Sequence, residues 1–161
     1  MKHAIYQMEI VSGKPAENRN KVEKWVQQVV KDEAVDVILL PEMWTTGYTL
    51  DQLEDIADEN GEPTTTFLQQ LAHKYNVIIV GGSYANKKNG KVYNTSTVID
   101  RTGKTVYEYD KMHLVPMLNE PAYLEGGKEK ARVFEVEGVK MGLIICYDLR
   151  FPELARSLAL E

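Results

Sequence analysis

The chain has 161 residues, 43% of them hydrophobic and 27% charged, which is the composition of a globular domain and excludes a disordered low-complexity chain. Its 19 basic and 24 acidic residues give a net charge of −5, which argues against a nucleic-acid partner because such a protein needs a basic surface. The longest apolar run, Leu143 to Tyr147, is far shorter than the roughly 20 residues that span a membrane, so we predict no membrane partner.

The N-terminus and the cysteine content predict the compartment. Met-Lys-His-Ala-Ile-Tyr lacks the apolar core of a signal peptide, and a single cysteine allows no disulfide within the chain. We therefore predict a cytoplasmic protein.

The first half of the chain predicts strands that alternate with helices. Val22, Trp25, Val26 and Val29 recur at helical spacing, whereas short β-branched runs such as Val77 to Val80 are typical of buried strands. The predicted order is a strand over 4–11, a helix from 14 onward, a strand over 35–40, a loop-rich stretch over 41–63, a helix over 64–75 that Thr64 or Thr65 caps, and a strand over 77–80.

The second half predicts hairpins. Arg101-Thr102-Gly103-Lys104 and Glu137-Gly138 have the composition of tight turns between strands. The predicted elements are strands over 92–100, 105–109, 133–136 and 140–146, a long loop over 110–130, and a helix that begins at 151–153. The whole pattern predicts a single α/β domain over residues 1–161. Because the last helix reaches Glu161 with an apolar face and no C-cap, we expect the chain to be part of a longer domain.

Three side chains at predicted strand ends are candidates for nucleophilic catalysis. Cys146 follows a strand and precedes a helix, where open α/β sheets bind ligands, although free cysteines are more often inert and buried. Glu42 follows Leu39-Leu40-Pro41, where desolvation would raise its pKa towards the range useful for a base. Lys111 follows the strand over 105–109 and would stabilise a thiolate and an oxyanion. A surface glutamate and a solvated lysine are the ordinary alternatives for these two residues.

Other catalytic chemistries find little support in the sequence. His113 lies in the long loop and is an alternative base for Cys146, whereas His3 and His73 are better explained as structural or solvated residues. No serine lies in a nucleophile elbow, no glycine-rich phosphate loop is present, and no cluster has metal-ligand spacing. We therefore predict neither a metal nor another cofactor.

Three segments together resemble the carbon–nitrogen hydrolase, or nitrilase, superfamily. They are Leu39-Leu40-Pro41-Glu42-Met43-Trp44, Tyr109-Asp110-Lys111-Met112-His113-Leu114 and the stretch from Gly142 to Glu153 around Cys146. The resemblance covers the whole chain and implies a four-layer α-β-β-α sandwich, here incomplete at the C-terminus because family domains are longer. It also implies a homodimer or larger homo-oligomer.

The resemblance assigns the catalytic roles. It implies a triad of Glu42, Lys111 and Cys146, and a second glutamate for which Glu120 is a better match than Glu125. The backbone N–H of Tyr147 would join Lys111 in binding the oxyanion. Two further expectations concern the surroundings: Tyr48 and Thr45 would line the substrate pocket, and Asp148 would pair with Arg150.

The sequence around Glu42 and Glu120 is most similar to omega-amidase-type members, which hydrolyse the terminal amide of small 2-oxo acid amides such as 2-oxoglutaramate. The small-molecule alternatives are an N-carbamoyl amine and deaminated glutathione. An inactive binding module with this fold, an acyltransferase and a Cys146/His113 thiol protease are the alternatives from other classes. A binding module would have a slow thiol, whereas a thiolate next to Lys111 would react quickly with iodoacetamide.

Overall fold

The computed structural model describes residues 1–161 as an α/β domain. Its helices are α1 (Pro15–Asp32), α2 (Leu53–Ile56), α3 (Thr64–Tyr75) and α4 (Pro152–Ala159). Its strands are β1 (His3–Ile5), β2 (Val37–Leu39), β3 (Asp58–Glu59), β4 (Ile78–Val80), β5 (Tyr84–Lys88), β6 (Lys91–Ile99), β7 (Thr105–Asp110), β8 (Phe134–Val136) and β9 (Val139–Met141). No helix is both long enough and apolar enough to cross a membrane.

Seven strands form one sheet whose order is β1-β2-β4-β6-β5-β3, with β7 also paired to β6. Strands β1, β2 and β4 are parallel because α1 and α3 are the crossovers between them. Strand β6 runs antiparallel to β4, β5 and β7, and short turns join it to β5 and β7. The sheet therefore combines a parallel half with an antiparallel half, as the two halves of the sequence predict.

The two faces of this sheet are covered differently. One face carries α1 and α3, whose Val22, Val26 and Leu68 pack with the sheet residues Ile38 and Ile79 in the largest core cluster. On the other face, Val37, Ile78 and Val98 pack against Val136 of the small β8–β9 sheet. Leu158 of α4 lies against Gly142 and packs with the cluster of Tyr109, Ala131 and Ile145. The layers thus follow the predicted α-β-β-α order.

Several predicted boundaries are wrong. The first strand is only three residues long, and residues 142–145 form no strand because their backbone pairs with no other strand of the chain. Strands β3 and β5 and helix α2 were not predicted. Neither Thr64 nor Thr65 caps α3: Pro63 occupies the N-cap position, and the buried Asp58 carboxylate accepts the Thr64 N–H at 2.8 Å.

The loop after β2 is held firmly against its neighbours. The Trp44 side chain is fully buried and donates from Nε1 to the Gly81 carbonyl at 2.8 Å. The Met43 N–H donates to Ser83 Oγ at 3.0 Å, and the Asn18 amide donates to the Thr45 carbonyl at 2.8 Å. These contacts fix the backbone on both sides of Glu42.

Gly82 provides a sharp test of this packing, and Gly90 is its matched control. Both have positive φ, +60° and +74°, but a Cβ on Gly82 would lie 2.1 Å from the Pro41 carbonyl oxygen, whereas nothing lies within 4 Å of one on Gly90. We expect Gly82→Ala to lower the free energy of unfolding by about 1–3 kcal/mol more than Gly90→Ala does, because only Gly82→Ala overpacks. Urea unfolding of both variants measures the difference, and equal losses would contradict it.

Candidate active site

Each of the three predicted catalytic side chains lies at or near the end of a strand or the start of a helical turn. Glu42 follows β2 by three residues, Lys111 directly follows β7, and Cys146 begins a 3-10 turn over Cys146–Arg150 that leads into α4. Strand β6 joins the first two, because it pairs with β7 and borders the loop that carries Glu42. The fold therefore brings residues distant in sequence to one place.

Lys111 lies at the centre of this cluster. Its side chain is fully buried, and its Nζ lies 2.9 Å from Glu42 Oε1 and 3.1 Å from both carboxylate oxygens of Glu120. Glu120 is also fully buried, and its Oε2 accepts the Val115 N–H at 2.7 Å. A buried ammonium is stable only when it is paired in this way.

Glu120, the better match in sequence, is therefore also the glutamate that lies beside Lys111. Glu125 lies at the surface, where it faces Lys91 at 3.0 Å and Lys128 at 3.8 Å. It has no contact with Lys111.

The surroundings of Glu42 lower its pKa, contrary to the prediction from desolvation alone. Desolvation raises the pKa, but hydrogen bonds from Lys111 and Tyr48, together with the Lys111 charge, outweigh it. Asn94 on β6 donates to the same Oε1 that faces Lys111, at 2.9 Å. Glu42 is thus a carboxylate in the free protein, with its Oε1 occupied by two donors.

Cys146 is exposed and has a left-handed backbone, with φ of +45°. Desolvation of the sulfur and the Glu42 carboxylate raise the pKa of its thiol, and they outweigh the opposing effect of Lys111. Burial and Glu42 thus disfavour the thiolate form of Cys146 in the free protein, which opposes the expected stabilisation of a thiolate by Lys111. The next residue, Tyr147, has a backbone N–H that donates to no group of the chain.

A cavity of about 200 Å³ lies beside the nucleophile. It has mostly aliphatic walls, and Glu42, Cys146, Ser83 and Ser96 are its polar lining residues. A larger cavity of about 360 Å³ is lined mainly by charged side chains between Lys88 and Arg132, and it touches none of the predicted catalytic residues. The smaller cavity is the one that a substrate of Cys146 would enter.

The two predicted substrate contacts have different outcomes. Tyr48 is 43% exposed and does not line the cavity, but burial of its hydroxyl and its hydrogen bond to Glu42 raise the pKa of the phenol. Thr45 was wrongly predicted to line the pocket, because its side chain is fully buried away from the cavity and its hydroxyl has no hydrogen-bond partner. The loop turns inward at Thr45, where Asn18 holds the backbone.

The predicted pair of Asp148 and Arg150 is absent. Arg150 is exposed, whereas Asp148 is buried and accepts hydrogen bonds from Tyr109, His113 and Ile145. The His113 ring lies with Nδ1 2.8 Å from Asp148 and stacks on Phe151, so its hydrogen bond is with this carboxylate. The geometry does not support His113 as the base of a thiol protease.

Sequence reasoning missed Asn94 and Ser96. Both lie on β6 within the run Asn94-Thr95-Ser96-Thr97, all four of which are buried. Four consecutive polar residues inside a strand flanked by Val92 and Val98 were the available signal, since a central strand normally carries apolar residues. No group of three or more His, Cys, Asp or Glu side chains is placed to hold a metal ion.

The layered α/β fold and the convergence of Glu, Lys and Cys at the ends of its elements define the class of protein that the sequence predicts. The carbon-nitrogen hydrolase family model matches residues 2–161, so the chain belongs to this family.

Individual relatives agree with this assignment. The chain is 50% identical to a protein of Staphylococcus lugdunensis named "Hydrolase in agr operon", over 80% of the chain and 55% of that protein. It is 45% identical to the 2-oxoglutaramate amidase of Bacillus subtilis, over 94% of the chain and 57% of that protein. The crystal structure of Saccharomyces cerevisiae Nit3, a member of branch 10 of the nitrilase superfamily, superposes with a TM-score of 0.88 at 30% identity.

That superposition covers 99% of the chain and 60% of Nit3. The chain therefore spans between 55% and 60% of the length of these relatives.

The opposing charges around Cys146 lead to a prediction for Glu42→Gln. Because the Glu42 carboxylate raises the pKa of the Cys146 thiol, its removal should shift the pH midpoint of iodoacetamide alkylation to lower pH. Cys146 is the only cysteine, so the alkylation rate reports on it alone. The exposed Glu153→Gln is the control and should leave the midpoint unchanged. A midpoint that stays or rises in Glu42→Gln would disprove the coupling.

The lowered pKa of Glu42 also predicts an acid dependence of stability. Its folded pKa lies below the usual 4.5, so its stabilising contribution is present above about pH 4.5 and is lost as the pH falls through the folded value. Glu42→Gln should therefore lose less stability than the wild type between neutral and acidic pH. Urea unfolding of both proteins across this range measures the difference, and parallel curves would refute the assignment.

Proposed function

We propose that the chain carries the catalytic centre of an amidase that releases ammonia from the terminal amide of a small 2-oxo acid amide. The observation that carries this proposal is the position of Lys111, whose ammonium lies between Glu42 and Glu120 at 2.9 and 3.1 Å. Glu42 in turn lines the same cavity as Cys146. In this proposal, the base and the nucleophile line one small cavity, and the buried ammonium lies directly behind the base.

In the first half-reaction, the Cys146 thiol transfers its proton to Glu42 as sulfur attacks the amide carbon. The carbonyl π electrons move to oxygen, and the new oxyanion is bound by Lys111 and the free N–H of Tyr147. The oxyanion then re-forms the carbonyl, and the C–N bond breaks as Glu42 returns the proton to the nitrogen. Ammonia leaves, and the acyl group stays on Cys146 as a thioester.

In the second half-reaction, Glu42 removes a proton from water as the water oxygen attacks the thioester carbon. Collapse of this second tetrahedral species breaks the C–S bond, and the proton on Glu42 returns to sulfur. The products are a carboxylic acid and the free thiol. One carboxylate thus serves both steps, and Glu120 contributes by holding Lys111 in place.

The electrostatic state of the free site supports this order of events. The raised pKa of Cys146 and the lowered pKa of Glu42 both oppose proton transfer from sulfur to Glu42, so this transfer accompanies attack of the sulfur on an acyl carbon. The ammonium of Lys111 then stabilises the developing oxyanion more than it would stabilise a resting thiolate. Loss of one such donor typically slows catalysis by about 10²–10³-fold.

The 45% identity to the 2-oxoglutaramate amidase supports a small 2-oxo acid amide as substrate. N-carbamoyl amines are the second candidate substrates, since they present a terminal amide of similar size. Cytoplasmic location and assembly into a homodimer or larger homo-oligomer stay predictions.

The test measures ammonia release by the 161-residue chain from 2-oxoglutaramate and, separately, from an N-carbamoyl amine. Cys146→Ala should abolish release because no thioester can form. Glu120→Gln should reduce kcat because Lys111 loses a charged partner, whereas Glu125→Gln, in the same loop, should retain the wild-type rate. Mass spectrometry of a quenched reaction should detect the acyl group on Cys146.

Two results would count against this proposal. An absence of ammonia from both substrates, with the chain folded, would favour a binding module. Ammonia release that survives Cys146→Ala would remove the sulfur from the mechanism.

A further inference from the structure

Asp148 is a fully buried carboxylate that the mechanism does not use. Its Oδ1 accepts the His113 backbone N–H at 2.9 Å and lies 2.8 Å from His113 Nδ1. Its Oδ2 accepts the Tyr109 hydroxyl at 2.8 Å and the Ile145 N–H at 3.1 Å. All of its partners are thus donors, which is the environment that an ionised carboxylate requires.

These donors belong to the two segments that carry the proposed nucleophile and cation. Ile145 directly precedes Cys146, whereas Tyr109 and His113 lie two residues before and two residues after Lys111. A single side chain therefore connects the backbone of the Cys146 turn to the backbone around Lys111.

The turn at Cys146 needs such support. Cys146 has φ of +45°, a conformation that a side chain with a Cβ rarely adopts unless its surroundings impose it. Asp148 closes this turn from both sides: its own N–H donates to the Ile145 carbonyl at 3.0 Å while its carboxylate accepts the Ile145 N–H. The backbone at the sulfur-bearing residue is thereby clamped between two reciprocal hydrogen bonds.

We propose that Asp148 is a positioning residue that holds the Cys146 turn in register with Lys111, so that sulfur, Glu42 and the ammonium face one acyl carbon. This inference rests on the proposed roles of Cys146 and Lys111. Asp148 acts through these residues and touches no substrate, since it is buried and does not line the cavity. His113 belongs to this hydrogen-bond network as a donor rather than as a base.

The first variant is Asp148→Asn. It converts one carboxylate oxygen into an NH₂ group, which cannot accept, so the hydrogen bond from the His113 N–H or from the Ile145 N–H is lost, depending on how the amide is oriented. We expect kcat to fall about 100-fold, the loss that a displacement of about 1 Å can cause, while KM stays nearly unchanged. We also expect the pH midpoint of Cys146 alkylation to fall, because the sulfur moves away from the Glu42 carboxylate.

The second variant, Tyr109→Phe, separates position from charge. It removes one donor but keeps the Asp148 carboxylate, so it should shift the alkylation midpoint in the same direction by a smaller amount. It also decides the question if Asp148→Asn does not fold. Arg150→Ala, in the same turn but exposed and without a hydrogen bond to Asp148, is the matched control and should behave as the wild type.

The alkylation profile keeps this test independent of amide hydrolysis. If the wild type releases no ammonia from any amide, the proposed function fails while the midpoints still test the positioning role. Folded Asp148→Asn and Tyr109→Phe variants with the wild-type midpoint and kcat would overturn the proposal. An equal shift in Arg150→Ala would overturn it as well, because the effect would then not depend on the Asp148 contacts.

Discussion

One buried ammonium group, the Nζ of Lys111, determines how the site is arranged. Removing a charge of this size from water costs several kcal/mol even after the protein relaxes, so it must be offset by close opposite charges. Glu42 and Glu120 supply them from two separate segments of the chain. Each carboxylate is itself held, by Asn94 and by the Val115 N–H respectively. The position of Lys111 therefore follows from the fold of β6, β7 and the long loop together.

Burial and the charge balance of this cluster together oppose ionisation of the Cys146 thiol. Desolvation of the sulfur is the larger cause, and the excess negative charge of two carboxylates over one ammonium adds to it. A site with a ready thiolate would be attacked by oxidants and alkylating agents in the absence of substrate. In the proposed mechanism, the proton leaves sulfur only as the bond to carbon forms, when the developing oxyanion would provide Lys111 with a third partner.

The sequence was informative where a side chain follows a short apolar run. Glu42 could be placed at a strand end because the apolar run Val37–Leu40 precedes it. Lys111 could be placed there because the turn residues Arg101 to Lys104 predict a hairpin whose second strand ends just before it. The run over 142–145 was predicted as a strand on the same grounds and is not one, since a strand exists only where another backbone pairs with it. Strand β5, Tyr-Ala-Asn-Lys-Lys, was missed because pairing with β6 stabilises it despite its polar composition.

Side-chain direction was the harder problem, as Thr45 and Asn94 show. Thr45 is three residues from Glu42, yet the positive φ of Met43 turns the chain so that Thr45 points into the protein. Asn94 is 52 residues from Glu42 and reaches it through the register of β6. Sequence separation therefore misleads in both directions, because contact depends on backbone dihedrals and strand register that local composition does not determine.

The proposed mechanism needs a buried charged group and an accessible nucleophile, and two different residues meet these requirements. The group that stabilises charge has to be desolvated, because an ammonium surrounded by water interacts weakly with an oxyanion. The nucleophile has to be accessible, because the substrate must reach it. Lys111 is fully buried and Cys146 is exposed, although both lie next to Glu42. The buried strand end and the exposed turn must therefore be held rigidly together. The buried carboxylate of Asp148 lies between them and accepts hydrogen bonds from Tyr109 and Ile145.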